Sequence, residues 1–244
     1  MNDLELAQRL AKGAGDILLN LRASGLFADK ALGKAGDYVA NAFIVAALRE
    51  NRPADAILSE EEKDNAARLS AARVWIVDPL DGTREYGEGR ADWAVHIALA
   101  INGQAVVGAV ALPGLGEVRL SQPCALPPVA LPPRVLVSRT RPAKEALAVA
   151  HALGAALVPM GSAGAKAMAV LRGEAEIYLH TGGQYEWDNC APAAVAQAAG
   201  LHVSRADGSP LLYNQADPYL PDVLICQKQF APQVLEILKN KKLI

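Results

Sequence analysis

Cysteine, histidine and aromatic residues are scarce in this 244-residue chain, and charge of neither sign dominates it. Cys124, Cys190 and Cys226 stand without a CxxC spacing, and His96, His151, His180 and His202 form neither HxxxH nor HExxH, so zinc and disulfide readings have weak support. Lys plus Arg is 24 against 26 for Asp plus Glu, a formal net charge of −2 that lacks the basic excess expected of a protein binding duplex DNA or RNA. No apolar run approaches ~18 residues, and the opening MNDLELAQRLAKGAGD carries acids early, so neither a membrane span nor a secretory leader is expected. The expectation is a soluble, cytoplasmic protein of a reducing compartment, whose metal, if it uses one, is held by carboxylates.

What the chain does have is apolar bulk. Apolar types make up 52% against 20% charged, which excludes intrinsic disorder, and with only 12 aromatics much of that bulk is Ala, 47 of them, with Val, Leu and Ile. Length against a domain prior of roughly 150 residues leaves one large domain or two small lobes open. Helical spacing of Leu4, Leu6, Ala7, Leu10, Ala14, Ile17, Leu18 and Leu21 predicts a helix over 3–23, and Val39, Phe43, Ile44, Ala47 and Leu48 predict a second over 37–49. Short apolar runs at 56–62 and 74–78 predict buried strands that end in acids, and Asn102-Gly103 and the Pro113 to Gly116 punctuation predict antiparallel hairpins. Prolines 123, 127, 128, 132 and 133 mark a boundary between lobes at 1–125 and 134–244. Beyond it, strands (134–138, 155–159, 175–180) alternate with helices (141–153, after Ser162, from Asp188), which gives an α/β or α+β layered fold.

The most informative stretch is Asp78-Pro79-Leu80-Asp81-Gly82-Thr83. A strand delivers Asp78, Pro and Gly bend the chain, and Asp81 returns to the same side, so two carboxylates flank the Leu80 carbonyl. Such an all-oxygen half-cage suits Mg²⁺, and the Gly82-Thr83 backbone can face an anion. The same residues also make an ordinary turn, and that reading stays open on this segment alone. Glu60, Glu61 and Glu62 end the preceding strand, where one Glu can complete a cation site and the others are solvated. Asp188 reads by itself as a helix N-cap and Trp187 as a core anchor. His96, Trp93 and Tyr86 read as structural residues, the two aromatics with nucleobase stacking as the alternative. Lys166 reads evenly as a phosphate ligand or a solvated residue.

Together, LSEE (58–61), WIVDPLDGT (75–83) and EWD…AAVAQAAG (186–200) resemble, in order and spacing, the inositol monophosphatase superfamily of metal-dependent, lithium-sensitive phosphatases. LGKAGDYVAN (32–41), DPLDGTREY (78–86), DWAVHIAL (92–99), GSAGAKAMAV (161–170) and SPLLYNQADPYLPDVLIC (209–226) are most similar to its CysQ type, the 3′(2′),5′-bisphosphate nucleotidases, in their mycobacterial branch. The resemblance spans nearly the whole chain. It implies an α+β fold, a layered αβαβα sandwich of the sugar-phosphatase type in two lobes.

It further implies that Glu60, Asp78 and the Leu80 carbonyl form one metal site and Asp78, Asp81 and Asp188 a second, with two or three Mg²⁺ per active site. Thr83 and Asp37 would orient the attacking water, with Glu60 beside them among the catalytic residues. Asp81, Gly82, Thr83, Arg84 and Asp188 would contact the substrate, with Gly161, Ser162 and Lys166 near the leaving ribose or a second phosphate. Departures are the shortened Lys34-Ala35-Gly36-Asp37 and Arg84 where relatives often carry Lys. The implied activity is removal of the 3′-phosphate of 3′-phosphoadenosine 5′-phosphate in sulfate assimilation. An inositol monophosphatase-like or fructose-1,6-bisphosphatase-like sugar phosphatase is the alternative enzyme, and a non-catalytic metal- or nucleotide-binding regulator the alternative of another class. Homodimers are frequent in the superfamily, but no segment of this sequence marks an interface. On this reading Cys190 is a packed thiol with no nucleophilic duty. Asp81→Asn is expected to leave the fold nearly intact, as loss of a repelling carboxylate.

Overall fold

Asn2 opens the first helix with a capping box: its side chain accepts the Glu5 N–H at 2.8 Å, and the Glu5 carboxylate accepts the Asn2 N–H. In the computed structural model, which describes residues 1–241, this helix, α1, runs Asp3–Ala23 and buries Leu6, Ala7, Leu10, Ala11, Ala14 and Leu18 along one stripe. The second helix, α2, runs Asp29–Asn51 and so begins well before Asp37, where the apolar pattern placed its start. Gly33 accounts for the difference. It reads as a helix breaker, yet it is a point of close approach, since a Cβ there would lie 2.5 Å from Thr83 Cγ2. Asp37 therefore rides within α2, at the level of Thr83.

Five strands follow as one sheet in the order β1 (Ala56–Ser59), β2 (Arg73–Asp81), β3 (Ala94–Ile101), β4 (Gln104–Leu112), β5 (Glu117–Leu120). Only β1 and β2 are parallel. Both faces of this sheet are buried, which is why its strands read as continuous apolar runs. Trp75, Val77, Val95 and Ile97 join the core under α1 and α2, while Val74, Ile76, Ala98 and Val110 join the core on the opposite face. Asn102 and Gly103, both at positive φ, turn β3 into β4 as expected.

A second sheet has the order β10 (His202–Ser204), β12 (Val223–Cys226), β8 (Ile177–His180), β6 (Arg134–Ser138), β7 (Ala156–Met160). A two-stranded ribbon pairs β9 (Gln184–Tyr185) with β11 (Tyr219–Leu220). Between the two large sheets lie α5 (Ala163–Leu171) and α6 (Glu186–Ala198), while α4 (Lys144–Leu153) and α7 (Ala231–Asn240) cover the far side of the second sheet. The layers thus run αβαβα, the α+β sandwich expected.

The alanine content has its place here. Helices packed against sheets on both sides must be apolar all round and thin, and α5 and α6 are buried along nearly their whole length as AGAKAMAVL and EWDNCAPAAVAQA. The proline segment 123–133 lies between the last strand of the first sheet and the first strand of the second.

Candidate active site

Strand β2 does not end at Asp78. It continues through Pro79 and Leu80 to Asp81, and its register against β3 shifts between Asp78 and Asp81. The sequence reading of a bend at the proline is corrected accordingly: the irregularity is a bulge in a buried strand. Asp78 Oδ1 accepts the Leu80 N–H at 3.0 Å, and the Thr83 hydroxyl donates to the Leu80 carbonyl at 3.1 Å, so the turn is held by its own side chains. Gly82, at φ +88°, releases the strand into the short helix α3 (Thr83–Gly87).

On the facing side, α6 begins at Glu186, two positions earlier than expected. Asp188 is not its N-cap. It is the third helical residue, and its Oδ2 accepts the N–H of Tyr185, the capping position, at 2.6 Å. This places Asp188 opposite the strand, where one carboxylate oxygen each from Asp78, Asp81 and Asp188 lie within 4.8 Å of one another. Glu60, just past the end of β1, lies outside that trio but close enough to repel it, and Asp37 and Thr83 border the same space. A cavity of about 470 Å³ lined by Lys30, Lys34, Asp37, Thr83 and Arg84 opens beside them.

Electrostatics divides these acids into two groups. Burial, and then repulsion from Glu60, Asp81 and Asp188, holds Asp78 well above the usual carboxylate range. Asp188 is pushed up to about 6 by burial and by Asp81. Glu60 is pushed up to about 8 by burial and then by repulsion from Asp188, Asp37, Glu61 and Asp81, and the water that reaches this exposed residue weakens both effects. Burial, with help from Glu61, also raises Asp37 to about 7. The Thr83 hydroxyl pulls Asp37 back down when it points there, but its single proton is donated to Leu80 here.

Asp81 goes the other way. Burial alone would raise it, but His96, Ser162 and Lys166 carry it down to about 2. Its Oδ2 accepts from the Ser162 hydroxyl at 2.5 Å and the Gly164 N–H at 2.7 Å, and His96 Nε2 stands 3.2 Å away. Asp81 is thus a satisfied anion, and the expectation that Asp81→Asn would relieve repulsion is corrected: that description fits Asp78.

Several other expectations change. His96 is structural in burial but touches Asp81, and it also meets the Trp187 carbonyl through Nδ1 at 3.0 Å. Its alternating strand pattern concealed this, because both contacts are long-range. Tyr86 and Trp93 are core residues packed edge to face, with the Tyr86 hydroxyl donating to Leu18 O and Trp93 Nε1 to Arg90 O, which removes base stacking as their role. Trp187 is half-buried and stacks on Tyr185 with ring centroids 4.8 Å apart.

Lys166 is not a solvated residue. It is buried, its Nζ donates to the Ser162 carbonyl at 2.6 Å and the Gly161 carbonyl at 3.2 Å, and burial lowers its pKa. Gly161 is fixed in turn by its N–H donating to Asp92 Oδ2 at 2.7 Å. Ser162 adopts a left-handed φ of +52° and uses one hydroxyl both to cap α5 and to hold Asp81. These residues line a second cavity of about 250 Å³ with Gly82, Thr83, Arg84 and the segment Ser138 to Arg141, which the sequence reading had not singled out. Arg139 there is engaged by Glu85 and Glu88, whereas Arg84 and Arg141 are exposed.

The donor set fits a hard divalent cation: it is all carboxylate, it converges, and all but one of its members are driven towards the neutral form by burial and mutual repulsion that a cation would offset. A model of the inositol monophosphatase family matches residues 3–123 and 131–243. A protein of Mycobacterium leprae described as 3′-phosphoadenosine 5′-phosphate phosphatase is 48% identical, covering 98% of this chain and 94% of its own length. The 3′(2′),5′-bisphosphate nucleotidase CysQ of Escherichia coli K12 is 30% identical over 89% of this chain and 96% of its own. Among solved structures, CysQ from Bacteroides thetaiotaomicron superposes with a TM-score of 0.80 at 26% identity, covering 93% of this chain and 97% of that one.

Proposed function

The chain belongs to the inositol monophosphatase family, and from that premise we propose that it is a Mg²⁺-dependent phosphomonoesterase that removes the 3′-phosphate of 3′-phosphoadenosine 5′-phosphate, giving AMP and phosphate. The observation that carries the reading is the convergence of Asp78, Asp81 and Asp188 beside Thr83 and Asp37. Relatives described as acting on this nucleotide cover almost the whole chain, which favours it over inositol phosphates or fructose bisphosphate. The cationic rim of the second cavity favours it as well: Arg84 and Arg141 suit the second phosphate of a bisphosphate nucleotide.

Asp78, Asp81, Asp188, Glu60 and the Leu80 carbonyl would hold the metal, which when bound neutralises phosphate charge and makes water more acidic. The remaining work falls to the chain's own atoms. Asp37 would accept a hydrogen bond from the attacking water, and Thr83 Oγ1, lining the same cavity, would fix where that water stands. The N–H groups after Gly82 can meet phosphate oxygens. Lys166, spent on two carbonyls, acts through its field rather than as a direct ligand. We also read the chain as two lobes, 1–125 and 134–244, with the acids of the first and Asp188 of the second facing each other. A cytoplasmic location fits a nucleotide substrate, and no helix among the described residues is long and apolar enough to cross a membrane.

The test is release of inorganic phosphate from 3′-phosphoadenosine 5′-phosphate, inositol 1-phosphate and fructose 1,6-bisphosphate, with and without Mg²⁺. Release from the first that depends on Mg²⁺ is expected. A preference for either sugar phosphate would transfer the assignment to a sugar phosphatase, and silence on all three would leave a regulator.

A further inference from the structure

His96 sits in β3 among apolar neighbours, and nothing in the proposed reaction uses it. The ring is fully buried. Its Nδ1 lies 3.0 Å from the Trp187 carbonyl, and since a carbonyl only accepts, Nδ1 carries a proton. At the opposite edge Nε2 stands 3.2 Å from Asp81 Oδ2. The chain makes room for this edge deliberately close: a Cβ on Gly164 would fall 2.0 Å from Nε2, so position 164 accommodates the ring only as glycine. Gly164 N–H and the Ser162 hydroxyl converge on the same Oδ2. One oxygen of Asp81 is therefore surrounded by three protein groups, and Oδ1 is left as the atom without such partners among the described residues.

We propose that His96 is a positioning residue, a brace that ties Asp81 in β2 to the first turn of α6, so that Asp81 offers Oδ1 alone at a fixed spacing from Asp188. The inference rests on the reading of Asp78, Asp81 and Asp188 as cation ligands. Its physical basis is preorganisation. Asp81 and Asp188 come from different layers, more than a hundred positions apart in sequence, and the ring is the side chain that touches both Asp81 and the backbone next to Asp188.

Asn and Gln separate the two contacts. The amide nitrogen of Asn falls near Nδ1 and that of Gln near Nε2, so His96→Asn keeps the Trp187 contact and loses Asp81, whereas His96→Gln keeps Asp81. Mg²⁺ affinity by calorimetry, kcat and KM for phosphate release, and thermal stability are measured on both. His96→Asn is expected to weaken Mg²⁺ binding roughly 10–100-fold and to lower kcat more than it changes KM, with most of the affinity returning in His96→Gln. Wild-type affinity in His96→Asn, or equal losses in both variants, would overturn the brace and leave a packing role. Should His96→Asn fail to fold, Gly164→Ala, which pushes an intact ring off Asp81, should show the same loss of affinity, and unchanged affinity there would count against the brace. A wild-type protein that binds no Mg²⁺ would remove the ligand reading and this inference with it; Mg²⁺ binding unaltered by His96→Asn would remove the inference alone.

Discussion

Asp78 and Asp81 lie three positions apart in one strand, both buried, and the chain treats them in opposite ways. Around Asp78 stand other acids, Glu60, Asp81 and Asp188, its one hydrogen bond is from the Leu80 N–H, and the nearest cationic edge, His96 Nδ1, is 4.0 Å away and turned to the Trp187 carbonyl, so burial and this repulsion raise its pKa. Around Asp81 stand His96, Ser162, Gly164 and Lys166, and its pKa falls to about 2. The bulge between them turns one carboxylate toward the other acids and the other toward the start of α5. On the proposed reading the difference separates two ways of building a cation site: Asp81 is held ionised and oriented by the protein, while Asp78 and Glu60 are held towards the neutral form until a cation arrives.

The largest expected effect falls on the Asp78 side. Asp78→Asn should cut phosphate release by roughly 10²–10³-fold or more, because no neighbouring group can replace its charge. Near wild-type turnover would break the assignment of Asp78 as a ligand. Thr83→Ala tests the water-orienting role apart from either acid: kcat should fall by roughly 10²-fold while Mg²⁺ affinity holds, and the reverse pattern would make Thr83 a cap for the Leu80 carbonyl.

Stability sharpens the comparison, because the two acids should respond with opposite sign. In Mg²⁺-free buffer Asp78→Asn removes a buried, repelled group and should raise the melting temperature. Asp81→Asn deprives Ser162 and Gly164 of an anionic acceptor and His96 of the charge beside it, and should lower it by several degrees, as charged hydrogen bonds of about 1.5–3 kcal/mol each imply. Shifts of the same sign would remove the contrast.

A smaller effect follows from titration. Asp188, Asp37 and Glu60 have folded values of about 6, 7 and 8 against about 4 when unfolded, so between those limits the folded state binds more protons. Stability of the metal-free protein should therefore be highest near pH 4–5 and fall as pH rises to about 8, with Mg²⁺ cancelling the loss. Asp81 has the opposite sign: its contribution is present above about pH 4 and is lost only as pH falls through about 2. A metal-free melting temperature that climbs between pH 5 and 8 would contradict the grouping of the acids.

The two acids also differ in how much of their surroundings the sequence discloses. Asp78, Asp81 and the turn between them are local, announced by Pro79, Gly82 and Thr83, and Glu60 and Asp188 sit beside strand and helix ends that periodicity locates to within a few residues. The layered fold is legible for the same reason, since two-faced strands and all-round apolar helices leave plain patterns. The surroundings of Asp81 are not legible. His96 hides in a strand whose alternation makes it look like filler, and its partners Trp187 and Gly164 come from the other half of the chain. Lys166 looks solvated by residue type and is buried by the meeting of two sheets. The early start of α2 is masked by Gly33 and Gly36, whose close approaches, to Thr83 and to Leu80, Leu18 and Tyr86, exist only after folding.

The most direct measurement is the proton balance of Mg²⁺ binding to the substrate-free protein at pH 7, read in weak buffer or by calorimetry in buffers of different ionisation heat. If the Asp78 side is held protonated until a cation arrives, binding releases on the order of one proton or more, and Asp78→Asn diminishes that release. Mg²⁺ binding with no proton release, or with uptake, would contradict the account.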